Sequence, residues 1–166
     1  MLDREAVVVA PDSGSVKMAH SYADMLGLGF AVVAKRRISA EKVASSHLVG
    51  DVEGRDCVLV DDLTTTGSTL TEAARILKEH GARRVLAAIS HYAVTREGHE
   101  RLTNGDLHEI ITTDSIPVPA GWAASGKLTI MTVAELLGEA IRRIHGGQSV
   151  SSLFHLHLEE SGQARI

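Results

Sequence analysis

Hydrophobic and polar positions follow two different patterns along the chain. Short apolar runs rich in β-branched residues are typical of strands, and segments with an apolar residue every three or four positions are typical of amphipathic helices. The two kinds of segment alternate along most of the sequence. The predicted strands are residues 6–10, 29–34, 56–60, 84–90, 108–112 and 128–131, and the predicted helices are residues 15–26, 68–80 and 133–144.

The predicted strands indicate a buried sheet. Most of them are apolar almost throughout, as strands covered on both faces are. Their alternation with helices is typical of parallel strands joined by crossover helices. The sequence therefore predicts an α/β fold, an open and mostly parallel twisted sheet with helices on both faces. We assign this fold to residues 1–145 and expect residues 146–166, which lose the periodicity, to form a C-terminal extension.

Two segments are predicted as loops. Residues 36–55 are polar and weakly periodic, and they are predicted to form a long, mobile loop. Loops of more than about 12 residues are uncommon in compact domains and are often functional. Residues 115–127, which contain Pro117, Pro119 and Gly121, are the second predicted loop.

Composition narrows the class of protein. With 166 residues, 44% of them hydrophobic and 23% charged, the chain has the size and balance of one globular domain. A net charge of −4 and an aromatic content of 3% argue against nucleic-acid binding. The longest apolar runs are far shorter than the roughly 20 residues of a membrane span, so no membrane partner is expected. No charged and apolar leader precedes the first strand, which favours a cytoplasmic location.

A candidate phosphate site follows the third predicted strand. After the apolar run that ends at Val60 come Asp61 and Asp62, then a hydroxyl-rich turn with Gly67, and then a helix. Ligands of open parallel sheets bind beyond the carboxyl ends of the strands, and a helix N-terminus offers N–H groups and a positive dipole end to an anion. Gly67 permits a close backbone approach, and hydroxyl groups add donors. These hydroxyls belong to Thr64, Thr65, Thr66, Ser68 and Thr69.

The two acids indicate which phosphate compound fits. A carboxylate beside an anion is favourable where it accepts hydrogen bonds from a diol or faces a metal ion. A sugar phosphate meets both demands, because it carries a diol and a phosphate. The structural alternative is a helix cap beside a solvated turn, which needs fewer hydroxyls and no acid pair. Asp61, Asp62 and the hydroxyl-rich turn therefore predict a sugar phosphate site.

Residues 61–69 resemble the phosphoribosyl pyrophosphate motif of type I phosphoribosyltransferase folds. Within that superfamily the chain is most similar to ribose-phosphate pyrophosphokinases, over about residues 6–145. This resemblance implies the type I phosphoribosyltransferase-like fold of their C-terminal domain. The further motifs that carry it are residues 11–14, 35–37, 49–54, 81–82, 90–91 and 113–117.

The resemblance also implies roles for single residues. Asp61 and Asp62 would hold the 2- and 3-hydroxyls of ribose 5-phosphate, and Lys35 and Arg37 would stabilise the transferring group as cations. Asp12 would lie on the nucleotide and magnesium side of the site. Mg²⁺ is the expected cofactor, because it binds through few carboxylates plus substrate phosphates. The 5-phosphate would be held by Thr65, Thr66, Gly67, Ser68 and Thr69.

The implied reaction is a diphosphoryl transfer. ATP bound with magnesium donates its β,γ-diphosphoryl group to the 1-hydroxyl of ribose 5-phosphate, which gives phosphoribosyl pyrophosphate and AMP. Complete enzymes of this kind resemble two similar domains in tandem, and the motifs of this chain belong to the C-terminal one. We therefore expect catalysis to need an N-terminal half, and we expect a homo-oligomer or a hetero-oligomer with a chain that supplies that half.

Three residues depart from the family pattern, and two other functions stay open. Ser15 stands in place of a glycine, Met18 in place of an arginine and Thr65 in place of a frequent aspartate. A phosphoribosyltransferase would use the same loop to join ribose phosphate to a nitrogenous base, with residues 115–127 and Trp122 as the candidate base-binding hood. A regulatory subunit would bind the sugar phosphate or a nucleotide without catalysing a reaction.

Overall fold

The computed structural model describes residues 5–36 and 45–154 of the chain. In these ranges strands and helices follow one another, with two short 3-10 helices at Trp122–Ser125 and Ser151–Phe154. The strands are β1 (Val7–Ala10), β2 (Gly29–Arg36), β3 (Ser45–Val49), β4 (Asp56–Thr64), β5 (Arg84–Tyr92), β6 (Glu109–Thr113) and β7 (Leu128–Met131). The helices are α1 (Val16–Leu26), α2 (Ser68–Glu79), α3 (Arg96–Asn104) and α4 (Ala134–His145).

These strands form one seven-stranded sheet in the order β3-β2-β1-β4-β5-β6-β7. Every neighbouring pair is parallel except β2 and β3, which are antiparallel. β1 lies between β2 and β4, so the strand order changes direction there. Open α/β sheets usually bind ligands beyond the carboxyl ends of the strands at such a switch point. The predicted α/β fold with its mostly parallel sheet is confirmed.

Helices cover both faces of this sheet. On one face, Ala19 and Ala23 of α1 pack with Val58 of β4. Small residues four positions apart on one side of a helix let it approach the strands closely. On the other face, Leu70 of α2 packs with Leu59 of β4 in a larger buried cluster. Burying a leucine side chain contributes about 1.5–3 kcal/mol, and the fully buried leucines of the core belong to this larger cluster.

The chain divides into two compact units, Met1–Met131 and Thr132–Ile166. The first unit holds the sheet together with α1, α2 and α3. The second unit holds α4, a helix with apolar and charged sides. The predicted boundary between a domain at residues 1–145 and an extension at residues 146–166 stays a prediction. Among the helices described, none has the length and apolar character needed to cross a bilayer.

The prediction of a loop throughout residues 36–55 is wrong, because β3 lies within this segment and pairs with β2. β2 is therefore longer than predicted, and Lys35 pairs with Ser46 inside the strand instead of following it. β3 is an edge strand, in which Leu48 packs partly against the core. An edge strand with so little buried surface needs no apolar run, and hydrophobic periodicity does not detect it.

A second difference is α3, a helix that the periodicity does not predict. Its buried residues are Gly98, His99 and Leu102, so no aliphatic stripe marks its buried side. The Thr95 side chain caps the helix by accepting a hydrogen bond from the Gly98 N–H at 3.2 Å. The signal that could have indicated α3 is the connection itself, because consecutive parallel strands such as β5 and β6 need a crossover of about a dozen residues or more.

Candidate functional site

Acidic residues that follow β1 and that lie in the last part of β4 come together at the carboxyl edge of the sheet, at its switch point. β1 and β4 are parallel neighbours, and Val9 pairs with Leu59. Asp12 comes shortly after Val9, and Asp61 and Asp62 come shortly after Leu59. The register of the two strands therefore brings the three predicted acids to one place.

Asp61 is the half-buried member of the acid pair, and Asp62 is exposed. The backbone N–H of Asp62 donates a hydrogen bond to Asp61 Oδ1 at 3.1 Å. Burial, with smaller contributions from the negative charges of Asp12 and Asp62, raises the pKa of Asp61 from 3.8 to about 6. Carboxylates that repel one another in this way favour a cation or hydroxyl donors as their ligand.

The loop between β4 and α2 forms the other half of the site. Gly67 is buried in the left-handed region with a φ of +70°, and it precedes α2 without a side-chain hydrogen bond to the helix. The hydroxyls of Thr66 and Ser68 lie 2.9 Å apart, Thr65 is exposed and Thr69 is half-buried. Thr66 Oγ1 accepts a long hydrogen bond of 3.4 Å from the Ser68 N–H. Because Gly67 provides no side-chain cap, the positive end of the α2 dipole still faces an anion beside the hydroxyls that the sequence predicted there.

Asp12 is held in place by its own turn. Its Oδ1 accepts a hydrogen bond from the Gly14 N–H at 2.8 Å, and Ser15 Oγ donates to its carbonyl oxygen at 3.3 Å. In the described part of the chain, no three His, Cys, Asp or Glu side chains are grouped as a metal site built from protein alone. Mg²⁺ does not need such a group, because it keeps several waters and binds through one or two carboxylates plus substrate phosphates. The neighbouring carboxylates of Asp12 and Asp61 fit that demand.

Of the two predicted cations, the structure describes the backbone of Lys35. Val32 of β2 pairs with Ala10 at the end of β1, and Lys35 comes three positions after Val32. The Lys35 backbone therefore lies at the carboxyl edge of the sheet, on the side of β1 and Asp12. Arg37 lies outside the described residues. The catalytic roles of Lys35 and Arg37 stay predictions.

Polar residues at the ends of β5 and β6 form a neighbouring group at the same edge. His91 Nδ1 lies 2.8 Å from Ser115 Oγ, and Thr113 Oγ1 donates to the carbonyl oxygen of Ser90 at 2.7 Å. His91 pairs in register with Leu63 of β4. The structure places this histidine beside the strand that carries the acid pair.

Trp122, the predicted centre of a base-binding hood, packs against aromatic residues of the protein itself. Its ring stacks on the His99 ring, with centroids 4.2 Å apart and planes at 15°, and it meets Tyr92 edge-on at 6.5 Å. His99 and Tyr92 are both buried. The indole therefore stabilises the contact between residues 115–127 and α3, and the structure offers no support for its use as a base platform.

Comparison with known proteins identifies the family to which this chain is similar. The family described as the phosphoribosyl synthetase-associated domain matches residues 35–155. The curated ribose-phosphate pyrophosphokinase of Vibrio cholerae serotype O1 is 45% identical over 152 residues, which cover 91% of this chain and 48% of that protein. The chain thus spans about half the length of the curated relatives that it matches.

Solved structures agree with the fold. The crystal structure of phosphoribosylpyrophosphate synthetase from Mycobacterium smegmatis superposes with a TM-score of 0.78 at 34% identity, covering 87% of this chain and 46% of that one. A crystal structure of adenine phosphoribosyltransferase superposes with a TM-score of 0.51 at 16% identity, covering 67% of this chain and 68% of that one. The second likeness shows a shared fold alone, of the type I phosphoribosyltransferase class.

Proposed function

The chain belongs to the ribose-phosphate pyrophosphokinase family of transferases, and from this premise we propose that it is the part of such an enzyme that binds ribose 5-phosphate. The observation that carries the proposal is the position of Asp61 and Asp62 beside the N-terminus of α2, where Gly67 provides no side-chain cap. Carboxylates next to an anion-binding helix end suit a molecule that has both a diol and a phosphate.

The 5-phosphate of the sugar binds at the loop that precedes α2. The positive end of the helix dipole and the first backbone N–H groups attract it. Gly67 has no side chain to keep the phosphate away from the backbone. The hydroxyls and N–H groups that complete this binding site belong to Thr65, Thr66, Ser68 and Thr69.

The ribose ring lies over the acid pair, and its 2- and 3-hydroxyls donate to Asp61 and Asp62. An ionised carboxylate is the stronger acceptor, and the raised pKa of Asp61, about 6, means that the ionised form prevails only above that pH. Sugar binding is therefore expected to strengthen as the pH rises through 6. The exposed Asp62 supplies a second acceptor.

Asp12 and Asp61 are the residues of this chain that would hold Mg²⁺ on the nucleotide side of the sugar. The ion supplies positive charge to the phosphate oxygens of ATP when it is bound. Asp12 contributes a carboxylate whose Oδ1 is oriented by the Gly14 N–H. The remaining ligands come from water and from the substrates.

The proposed reaction is the attack of the sugar 1-hydroxyl on the β-phosphorus of ATP. A bond forms between that oxygen and phosphorus, the bond to the oxygen of the α-phosphate breaks, and AMP leaves with that oxygen. The hydroxyl proton passes to solvent, and no covalent enzyme intermediate is needed. Lys35 and Arg37 stabilise the charge on the transferring diphosphoryl group, so positioning and cationic stabilisation supply most of the rate.

The complete reaction needs more than the site described. The relatives are about twice as long as the region they share with this chain. We infer that a second half, on the same polypeptide or on a partner chain, supplies the ATP pocket within a homo-oligomer or a hetero-oligomer. A cytoplasmic location is part of the same proposal, and cell fractionation tests it.

Calorimetric titration of the chain with ribose 5-phosphate, phosphoribosyl pyrophosphate and magnesium-bound ATP tests this function, followed by a measurement of AMP formation in the presence of the second half. We expect both sugar phosphates to bind, and we expect Lys35→Ala to keep the affinity for ribose 5-phosphate while it removes AMP formation. Failure of the chain to bind either sugar phosphate would contradict the proposal. Binding without AMP formation in the full assembly would favour a regulatory subunit.

A further inference from the structure

α3 lies directly against the loop that forms the proposed phosphate site. A Cβ atom at Gly98 would lie only 2.9 Å from the Thr65 carbonyl oxygen, and a Cβ atom at Gly67 would lie 2.6 Å from Cγ of Leu102. Leu102 is completely buried, so it has no room to move aside. The absence of a side chain at Gly98 and Gly67 is therefore what lets helix and loop touch.

Two carbonyl oxygens of this loop accept hydrogen bonds, one from a residue of α3 and one from the residue that caps α3. Arg101 Nη1 donates to the Thr66 carbonyl oxygen at 2.6 Å, and the Thr95 N–H donates to the Thr65 carbonyl oxygen at 3.3 Å. In a trans peptide the C=O and N–H groups point in opposite directions. A loop whose carbonyls at Thr65 and Thr66 face α3 therefore directs the N–H groups of Thr66 and Gly67 away from α3.

We propose that Arg101 is a positioning residue for the phosphate loop. By holding the Thr66 carbonyl, its guanidinium fixes the orientation of the next peptide, so that the Gly67 N–H is turned towards the anion before the ligand arrives. This inference rests on the proposed function, because it takes the loop to be a phosphate site. Preorganised donors bind an anion more tightly than donors that must first be turned, since the cost of ordering is already met.

The contact between Arg101 and Thr66 is long-range, because the two residues are 35 positions apart in the sequence. An exposed arginine that served only solubility would point into solvent, whereas this guanidinium reaches back to a backbone carbonyl of the site. The donor is charged, and charge-assisted hydrogen bonds are about twice as strong as neutral ones. Its neighbour at the start of the same helix, Arg96, is also exposed and provides a control of equal charge.

Three variants test the proposal: Arg101→Met, Arg101→Lys and the control Arg96→Met. Calorimetric titration with ribose 5-phosphate should show a loss of affinity of about tenfold in Arg101→Met, the effect of losing one charge-assisted hydrogen bond. Arg101→Lys keeps a charged donor and should recover part of that loss. Arg96→Met should bind like the wild type. This control removes the same charge from the same helix without removing the contact with Thr66.

Amide hydrogen exchange gives a second measurement that needs no ligand. The N–H groups of Thr95 and Thr71 donate to the carbonyls of Thr65 and Gly67, so they report how firmly the loop is held. In Arg101→Met these two amides should exchange several times faster, while the amides of β4 keep their rates. A variant that had merely lost overall stability would speed up exchange throughout the sheet.

The outcomes separate the two proposals. If the wild-type chain does not bind ribose 5-phosphate, the proposed function fails, and the exchange rates of Thr95 and Thr71 alone decide whether Arg101 positions the loop. If Arg101→Met binds like the wild type and its loop amides exchange at wild-type rates, the positioning role is overturned. Equal losses of affinity in Arg101→Met and Arg96→Met would overturn it as well, because they would show an effect of net charge.

Discussion

The rings of His99 and Trp122 stack with their centroids 4.2 Å apart, and this contact joins α3 to the segment between β6 and β7. His99 is buried, and its Nδ1 lies 3.1 Å from the Tyr92 hydroxyl. Burial lowers the pKa of His99, because the charged imidazole loses its water. α3, the helix that contacts the phosphate loop, is thus anchored by its own buried His99, which favours the uncharged form and packs against Trp122 and Tyr92.

Protonation of His99 is expected to weaken the fold in mild acid. As the pH falls through about 6.5, the unfolded chain takes up a proton on this histidine before the folded chain does, so the free energy of unfolding decreases. His99→Phe keeps a ring against Trp122 but does not titrate. Urea unfolding at pH 7.5 and pH 5.5 should show a smaller loss of stability in His99→Phe than in the wild type, and equal losses would contradict this prediction.

Asp61 is expected to cost stability at neutral pH. Its folded-state pKa is raised from 3.8 to about 6, so the stability associated with this carboxyl is greatest below pH 4 and falls as the pH rises through 6. Asp61→Asn should therefore raise the free energy of unfolding at pH 8 by about 1 kcal/mol, a value reduced for partial solvent screening. Urea unfolding at pH 8 and pH 4 measures this gain, which should vanish at the lower pH.

Asp62→Asn is the matched control for Asp61→Asn. Asp62 is exposed, so its substitution should leave the free energy of unfolding nearly unchanged. Both variants should weaken the binding of ribose 5-phosphate, because each replaces a carboxylate acceptor by an amide. A stability gain of equal size in both variants would show that burial of Asp61 is not the cause.

Thr112 offers a stabilising substitution in β6. Its hydroxyl is buried, and it has no hydrogen-bond partner among the residues that the structure describes. A buried hydroxyl without a partner costs about 1–3 kcal/mol, so Thr112→Val should raise the free energy of unfolding by about 1 kcal/mol. The neighbouring Thr113→Val should lower it, because the Thr113 hydroxyl donates to the Ser90 carbonyl at 2.7 Å. Thermal or urea unfolding of the two variants should give changes of opposite sign.

Gly98→Ala is expected to push α3 away from the phosphate loop. The added methyl group would lie 2.9 Å from the backbone oxygen of Thr65, which cannot yield like a flexible side chain. We expect a loss of about 1–3 kcal/mol in the free energy of unfolding, together with weaker binding of ribose 5-phosphate. Gly138→Ala in α4 is the control, because nothing lies within 4 Å of a Cβ there and alanine should stabilise that helix. Losses of similar size in both variants would refute the steric explanation.

Local patterns were sufficient for most of the sheet and for the binding motif. The apolar run that follows Asp56 predicted β4, and residues 128–131 coincide with β7. Asp61 and Asp62 were predicted to follow β4, and they lie within it because β5 pairs with β4 as far as Thr64. An apolar pattern marks the buried part of a strand, while pairing with a neighbour sets where the strand ends.

Elements with little apolar surface escaped prediction for the same reason. α3 buries a glycine and a histidine besides one leucine, and β3 contributes Leu48 to the rim of the core. Hydrophobic periodicity reports burial of apolar side chains, so helices and edge strands that are held by hydrogen bonds and caps leave no trace in it.

The sequence by itself determined that an acid pair and a hydroxyl-rich turn stand between a buried strand and a helix, because those residues are neighbours along the chain. Only the tertiary structure decided what surrounds them: Arg101 on the carbonyl of Thr66, and His99 against Trp122. These contacts join residues far apart in sequence, and they depend on close approach and on orientation. The periodicity of a single segment predicts neither property, so the contacts that hold the site in place are found only in the folded chain.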